Sequence, residues 1–148
     1  MVSGEKTEQV MSRNIEKIII HCSATPEGRN VLTGTIKDWH LDRGWSDIGY
    51  HYVIELDGFC GHGRSEETPG AHARGHNSRS IGVCYVGGVS KEMEPKDTRT
   101  DLQKDALNII IRHLINKYPD AEICGHNEFS SKSCPSFNVK EEYSNLIK

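Results

Sequence analysis

A run of three consecutive isoleucines, Ile18-Ile19-Ile20, limits the possible folds of this chain more than any other feature. Successive side chains of a β-strand point to opposite faces, so a strand that is apolar at every position is buried on both faces. Such strands lie at the centre of sheets that carry helices on both sides. We therefore predict a central strand over residues 15–22, with His21 near its end and Cys22 pointing to the opposite face.

The rest of the chain alternates apolar runs with amphipathic segments, which is typical of an α/β domain. The Asp57-Gly58 pair predicts a tight hairpin between two strands. Strands are predicted over 15–22, 50–56, 59–63, 80–86 and 121–124, and helices over 35–43, 100–117 and 139–147. The predicted fold class is α/β, a single domain with a central mixed β-sheet flanked by helices.

Capping residues predict where the helices begin. Thr100, with Gln103 three residues later, forms a capping box, and Thr35 can cap the first helix, which ends before Gly44. Asn138 caps the last helix. Helical spacing assigns the core face of the long helix to its apolar residues Leu102, Ala106, Ile109, Ile110 and Leu114.

Composition and charge argue against two classes of binding partner, nucleic acids and membranes. The chain has 148 residues, a formal net charge of −3 and no basic run, so we expect no nucleic-acid partner. No apolar stretch is long enough to span a membrane, so no membrane association is expected. Five cysteines without regular spacing do not form a disulfide framework. The expected organisation is a monomer with a flexible tail over 1–13 and one folded domain over 14–148.

Residues 125–135 carry the strongest chemical signal in the chain. They place His126 after a short predicted strand and Cys134 in a polar loop, with Lys132 between them. Imidazole nitrogen and thiolate sulfur are preferred zinc ligands, and His21 at the end of the isoleucine strand is the best third donor. The spacing alone also fits a hydrogen-bonded structural histidine and a buried thiol, so from the residues themselves a metal site and a structural role are about equally supported.

The segment 64–79 is rich in glycine, histidine and polar residues and carries no apolar periodicity. It is long for a connection without secondary structure inside a small domain, and such loops are usually functional. We therefore predict that this loop takes part in the site.

Taken in order, several motifs resemble one family, the zinc-dependent N-acetylmuramoyl-L-alanine amidases that include bacteriophage amidase lysozymes and peptidoglycan recognition proteins. Each motif alone is short, but together they run in order through the whole domain. The matching segments are residues 20–25, 45–52, 63–64, 70–73, Asn77, 80–83, 87–88 and 126–137. His76 departs from the tyrosine that this family often has at that position.

The resemblance implies a fold, an activity and a set of roles. It implies that His21, His126 and Cys134 bind one zinc ion per chain and that Tyr50 and Lys132 assist catalysis. It further implies that His72 and Asn77 lie along a groove for the glycan–peptide substrate, peptidoglycan. The predicted reaction is hydrolysis of the amide bond between N-acetylmuramic acid and L-alanine.

Two other functional classes remain open from the sequence. A binding module would recognise peptidoglycan without cutting it, but the presence of Tyr50 and Cys134 favours catalysis. A cysteine hydrolase would use Cys134 or Cys22 as the nucleophile with a histidine base. Residues 1–13 lack the apolar core of a secretory signal, so we expect synthesis in the cytoplasm and action on the cell wall, as for an endolysin.

Overall fold

The isoleucine run forms the second strand from one edge of a five-stranded sheet in the computed structural model, which describes residues 13–146. The strands are β1 (Lys17–Cys22), β2 (Thr25–Pro26), β3 (Tyr52–Ile54), β4 (Cys60–His62), β5 (Ser80–Tyr85), β6 (Gly88–Val89) and β7 (Glu122–Gly125). The helices are α1 (Thr33–Asp42), α2 (Asp101–Lys117) and α3 (Val139–Glu142), with single 3-10 turns at Asn77–Arg79 and His126–Glu128.

The main sheet has the strand order β4-β3-β5-β1-β7, and all neighbouring strands are parallel except the β3–β4 hairpin. The predicted mixed sheet with flanking helices is therefore confirmed. Strand β5 lies between β3 and β1. Strands β2 and β6 form a separate two-stranded sheet.

Strand β1 is buried on both faces, as its sequence predicts. Ile18 and Ile20 pack in the large core cluster that contains the apolar face of α2, and Cys22 belongs to the same cluster. Ile19 packs on the other face against Ala73 and Cys124. Side chains alternate along the strand, so His21 points away from α2, toward the face that carries the 64–79 loop.

Helix α2 has its capping box as predicted, but its buried face was predicted only in part: Leu114 is buried, and Ala106 and Ile110 pack against the core. The buried residues are Gln103, Leu107, Ile111, Leu114 and Ile115. Leu102 and Ile109 are exposed. The reason is Gln103, whose side-chain amide donates to the carbonyls of Ile54 and Val86 at the ends of β3 and β5. These hydrogen bonds fix the rotation of the helix, and a search for apolar periodicity overlooks a buried glutamine.

Helix α1 begins at Thr33, two residues before the predicted cap Thr35, and ends before Gly44 as expected. Its first turn is capped from another part of the chain. The backbone amide and the hydroxyl of Thr33 both donate to the Glu55 carboxylate, at 2.9 and 2.6 Å. A carboxylate at a helix N-terminus also interacts favourably with the helix dipole, so Glu55 replaces the predicted local cap.

Arg13 belongs to the fold and not to the predicted tail. Its guanidinium donates to the backbone carbonyls of Glu66 and Thr68 at one end of the 64–79 loop and of Asn77 and Ser80 at the other end. The expected tail over 1–13 is therefore shorter by at least this residue, and residues 1–12 lie outside the described part of the chain. The arginine ties together the two ends of the loop that the sequence singled out.

Glu66 anchors the same loop from its side chain. Its carboxylate accepts hydrogen bonds from the hydroxyls of Tyr52 and Tyr118, the latter at 2.6 Å, and forms an ion pair of 3.0 Å with Lys117. Burial acts to raise the pKa of Glu66, but the two hydroxyls and the lysine outweigh burial and hold that pKa below its usual value. The loop is thus attached to both β3 and the C-terminal end of α2.

Replacing Glu66 with alanine should lower the free energy of unfolding by about 2–3 kcal/mol, because two hydroxyls and an ammonium lose a charged partner. The pKa of Glu66 is depressed in the folded state, so its contribution is present above the unfolded-state pKa of about 4.3 and is lost as the pH falls through the folded-state value. Urea unfolding at pH 7 and at acidic pH measures both effects. The exposed neighbour Glu67→Ala is the control and should change stability by less than about 0.5 kcal/mol. A Glu66→Ala loss that did not shrink in acid would contradict this role.

Candidate metal centre and active-site cleft

Two parallel strands bring His21 and His126 together. His21 is the penultimate residue of β1, and His126 directly follows β7, the parallel neighbour of β1. The carboxyl ends of parallel strands meet at one edge of a sheet, where α/β proteins bind their ligands. The centroids of the two imidazole rings are 4.6 Å apart. The topology alone therefore accounts for this pair.

The thiol of Cys134 completes the group from a loop. Its Sγ lies 3.9 Å from Nδ1 of His21 and accepts a hydrogen bond from the backbone amide of Cys22 at 3.1 Å. Ligand atoms of His21, His126 and Cys134 all lie within 4.8 Å of one another. The sequence predicted this meeting of three residues, of which His21 and Cys134 are 113 positions apart.

The three donors fit a zinc ion. Tetrahedral zinc with bonds of about 2.0–2.1 Å to nitrogen and 2.3 Å to sulfur separates those two atoms by roughly 3.5 Å. The 3.9 Å distance between His21 Nδ1 and Cys134 Sγ exceeds that value by a few tenths of an ångström. Two imidazoles and one thiolate form a zinc-preferring set, and three protein ligands leave the fourth position for water or substrate, as catalytic zinc sites do.

The electrostatics of the site favour neutral histidines and a protonated thiol before metal binding. Burial lowers the pKa of His21 well below its usual value, and the neighbouring His72 and His126 lower it further. Burial and the Lys132 ammonium lower the pKa of His126. The Cys22 thiol and burial raise the pKa of Cys134 above its usual value. Both imidazoles are thus ready to bind a cation, whereas Cys134 must first lose a proton.

Tyr50 and Lys132 line the same cleft as the three donors. The ring of Tyr50 is 5.1 Å from that of His21, and burial raises the pKa of the phenol well above its usual value, so its hydroxyl remains a hydrogen-bond donor. Tyr50 precedes β3 and does not open it, contrary to the expectation. Lys132 is exposed and lines the cleft two residues before Cys134.

All seven residues singled out in the sequence line one cleft of about 710 Å³. For His72 and Asn77 the contacts are specific. Nδ1 of His72 lies 2.8 Å from Nε2 of His21, and the side-chain oxygen of Asn77 accepts from the backbone amides of His72 and Ala73, both at 2.9 Å. Burial and the neighbouring His51 hold the pKa of His72 at about 3. Contact of either residue with substrate remains a prediction.

The same cleft contains residues that sequence reasoning missed. His40 is buried, its Nδ1 accepts a hydrogen bond from the amide of Gly49 at 2.9 Å, and its ring lies 4.6 Å from that of Trp45. Arg43 lies over the Trp45 ring and, with Arg74, adds positive charge to the wall of the cleft. Trp45 lies within residues 45–52, one of the motifs that resemble the amidase family. This motif was the sequence signal that could have identified Trp45 as a cleft residue.

The mixed sheet of this α/β domain brings two histidines and a cysteine together beside its strand ends, a donor set suited to a metal ion. The chain belongs to the N-acetylmuramoyl-L-alanine amidase family, whose model matches residues 11–137. It is 41% identical over 125 residues to the endolysin of Escherichia phage T7, covering 84% of this chain and 83% of that protein. It is 37% identical over 135 residues to the endolysin of Enterobacteria phage K11, covering 91% and 89%.

Solved structures agree on the fold. The N-acetylmuramoyl-L-alanine amidase LysC from Clostridium intestinale superposes with a TM-score of 0.76 at 30% identity, covering 90% of this chain and 85% of that one. Drosophila PGRP-LB superposes with a TM-score of 0.72 at 28% identity, covering 88% and 80%. Both similarities extend over about nine tenths of the chain.

Proposed function

We propose that this amidase hydrolyses the bond between N-acetylmuramic acid and L-alanine of peptidoglycan with one zinc ion held by His21, His126 and Cys134. The observation that carries the proposal is the convergence of these three donors within 4.8 Å in a cleft at the strand ends. The endolysin relatives and the amidase family support the wall-lytic reaction. All proposed ligands belong to one chain, so a monomer is sufficient for activity.

The zinc ion and the side chains around it have different roles in the proposed catalysis. Zinc, when bound, supplies Lewis acidity that activates water and polarises the scissile carbonyl. The Tyr50 hydroxyl would donate a hydrogen bond to the reacting group, and the Lys132 ammonium would place a positive charge where negative charge develops on the carbonyl oxygen. His21 and His126 stay neutral, which keeps their lone pairs available to the metal.

Substrate binding is proposed along the same cleft. Its wall combines aromatic Trp45 with the cations Arg43 and Arg74, a surface suited to a sugar ring next to peptide carboxylates. A point mutant of Drosophila PGRP-LB, which shares this fold, has been solved in complex with tracheal cytotoxin.

Among residues 13–146 no helix is long and apolar enough to cross a bilayer.

The products of digestion test the reaction. Purified peptidoglycan should yield new L-alanine amino termini and no new reducing ends, and a chelator should stop the release until zinc is restored. New reducing ends would indicate a glycosidase, and binding without any new termini would indicate a recognition module. Either result would overturn the proposal.

A cysteine hydrolase is the second candidate, because the 3.9 Å contact between Cys134 Sγ and His21 Nδ1 could also form a nucleophile–base pair. Burial acts to raise the pKa of both Cys134 and its neighbour Cys22, which disfavours it, since a reactive cysteine requires a stabilised thiolate. Alkylation separates the two candidates. A zinc-bound thiolate should resist iodoacetamide until a chelator is added, whereas a free nucleophile should react with or without the chelator.

Zinc binding near pH 7 should release about one proton, because Cys134 is the one proposed ligand that is protonated in the metal-free protein. The apparent zinc affinity should accordingly rise about tenfold per pH unit. Calorimetric titrations in two buffers with different ionisation enthalpies measure the proton count. The two histidines have lowered pKa values and should add nothing at this pH. No release would show that Cys134 is already ionised or is not a ligand.

A further inference from the structure

A chain of hydrogen bonds extends from the candidate ligand His21 into the 64–79 loop. Nε2 of His21 lies 2.8 Å from Nδ1 of His72, and Nε2 of His72 lies 3.2 Å from the hydroxyl of Ser80. The same hydroxyl lies 2.8 Å from the backbone carbonyl of His76. Both ring nitrogens of His72 are therefore engaged, one toward the metal site and one away from it.

The number of hydrogens available along this series of hydrogen bonds determines which atom donates in each of them. A carbonyl oxygen only accepts, so Ser80 donates its single hydrogen to His76 and must accept from Nε2 of His72. A neutral imidazole carries one hydrogen, so Nδ1 of His72 is left as an acceptor. It can then accept only from an Nε2–H of His21. The lone pair of His21 is consequently on Nδ1, the atom that lies 3.9 Å from the sulfur of Cys134.

The local structure holds His72 in the position that this requires. Asn77 accepts hydrogen bonds from the backbone amides of residues 72 and 73, which fixes the turn that carries the ring. The ring also lies directly against Gly82 of β5, where an added Cβ would be 2.6 Å from Cγ of His72. A side chain at position 82 would displace the imidazole, so the glycine allows His72 to approach His21.

We propose that His72 is a positioning residue for the metal centre and acts through His21. It holds His21 as the Nε2–H tautomer, with Ser80 setting the tautomer of His72 in turn. This inference rests on the proposed function, because it assigns His21 as a ligand through Nδ1, and it gives His72 a role other than substrate contact. Hydrogen-bond partners of this kind orient metal-binding histidines, and their loss typically weakens metal binding by about 10–100-fold.

Nuclear magnetic resonance of the histidine rings tests the tautomer directly. In long-range ¹H–¹⁵N spectra of the metal-free and the zinc-loaded protein, His21 should carry its hydrogen on Nε2. His72 should also carry its hydrogen on Nε2. Zinc should change the Nδ1 signal of His21. A His21 hydrogen on Nδ1, or a zinc-dependent change at Nε2 instead, would overturn the proposal.

Two variants of His72 with side chains of similar size test the expected effect on zinc affinity. His72→Leu removes the acceptor and should weaken zinc binding by about 10–100-fold, measured by competition with a chromophoric chelator. His72→Asn keeps an oxygen acceptor near the position of Nδ1 and should retain most of the affinity. Equal zinc affinities for the leucine variant and the wild type would overturn the role of His72.

Ser80→Ala removes the hydroxyl at the far end of this series of hydrogen bonds. It should weaken zinc binding by less than His72→Leu does. The exposed Ser78→Ala, in the same loop, is its control and should leave the affinity unchanged. Urea midpoints of the metal-free variants identify those that are folded, and the tautomer measurement on the wild type needs no variant. Failure of the proposed function would appear separately, as wild-type protein that shows the His21 tautomer but releases no L-alanine termini from peptidoglycan.

Discussion

Cys134→Ser should lose both bound zinc and amidase activity. The variant removes the one sulfur ligand and leaves two histidines, which hold zinc poorly, so affinity should fall by more than the roughly 10–100-fold expected for loss of an outer-shell partner. Activity at sub-stoichiometric zinc should fall below detection. Elemental analysis and the release of L-alanine termini from peptidoglycan measure the two effects. The wild type should also unfold at a lower temperature in chelator, because a metal that binds only the folded state stabilises it by mass action.

Cys60→Ser provides the matched control, since Cys60 lies on the edge strand β4 and outside the cleft. It should retain zinc and activity. A Cys134→Ser variant that kept zinc but lost activity would instead support a cysteine nucleophile. Retention of both zinc and activity would refute the site.

Tyr50→Phe and Lys132→Met should each lower kcat by roughly 10²–10³-fold, the range for loss of one donor to a developing oxyanion. Each change removes a polar group with little change in bulk. KM and zinc content should change little, because neither residue belongs to the converging donor set. The double variant should lose less than the product of the two single losses if both groups stabilise the same transition state.

Lys91→Met is the control for the loss of one lysine charge, because Lys91 is exposed and lies outside the residues that line the cleft. Single variants of Tyr50 or Lys132 with near wild-type kcat would exclude the proposed role. Variants that lost zinc would show that these residues support the metal site instead. Steady-state kinetics on soluble muropeptides, with zinc measured on the same samples, distinguishes these outcomes.

Side-chain contacts connect the candidate metal site to the 64–79 loop and the loop to the rest of the fold. Arg13 ties the two ends of the loop, Glu66 attaches it to β3 and α2, and His72 connects it to His21. A loop held at three points can position an imidazole beside a ligand at little further entropic cost. The loop thereby holds His72 beside His21, the proposed zinc ligand.

The sequence by itself determined the elements whose signals are local. The isoleucine run predicted a strand buried on both faces, Asp57-Gly58 predicted the hairpin, and Thr100 with Gln103 predicted the start of α2. Ordered motifs predicted the three donors His21, His126 and Cys134. The strand, the hairpin and the helix start follow from side-chain alternation, turn geometry and capping, which a short stretch of chain already contains. The three donors were instead implied by the resemblance of motifs along the whole domain to one family.

Only the tertiary structure decided how distant parts meet. The cap of α1 comes from Glu55, and the rotation of α2 is set by Gln103 bonding to strand ends, so neither follows from apolar periodicity. The role of His72 likewise depends on a partner 51 residues away and on the close approach that Gly82 allows. A buried polar group is placed by whichever partner satisfies its hydrogen bonds, and that partner is fixed by the fold rather than by the neighbouring sequence.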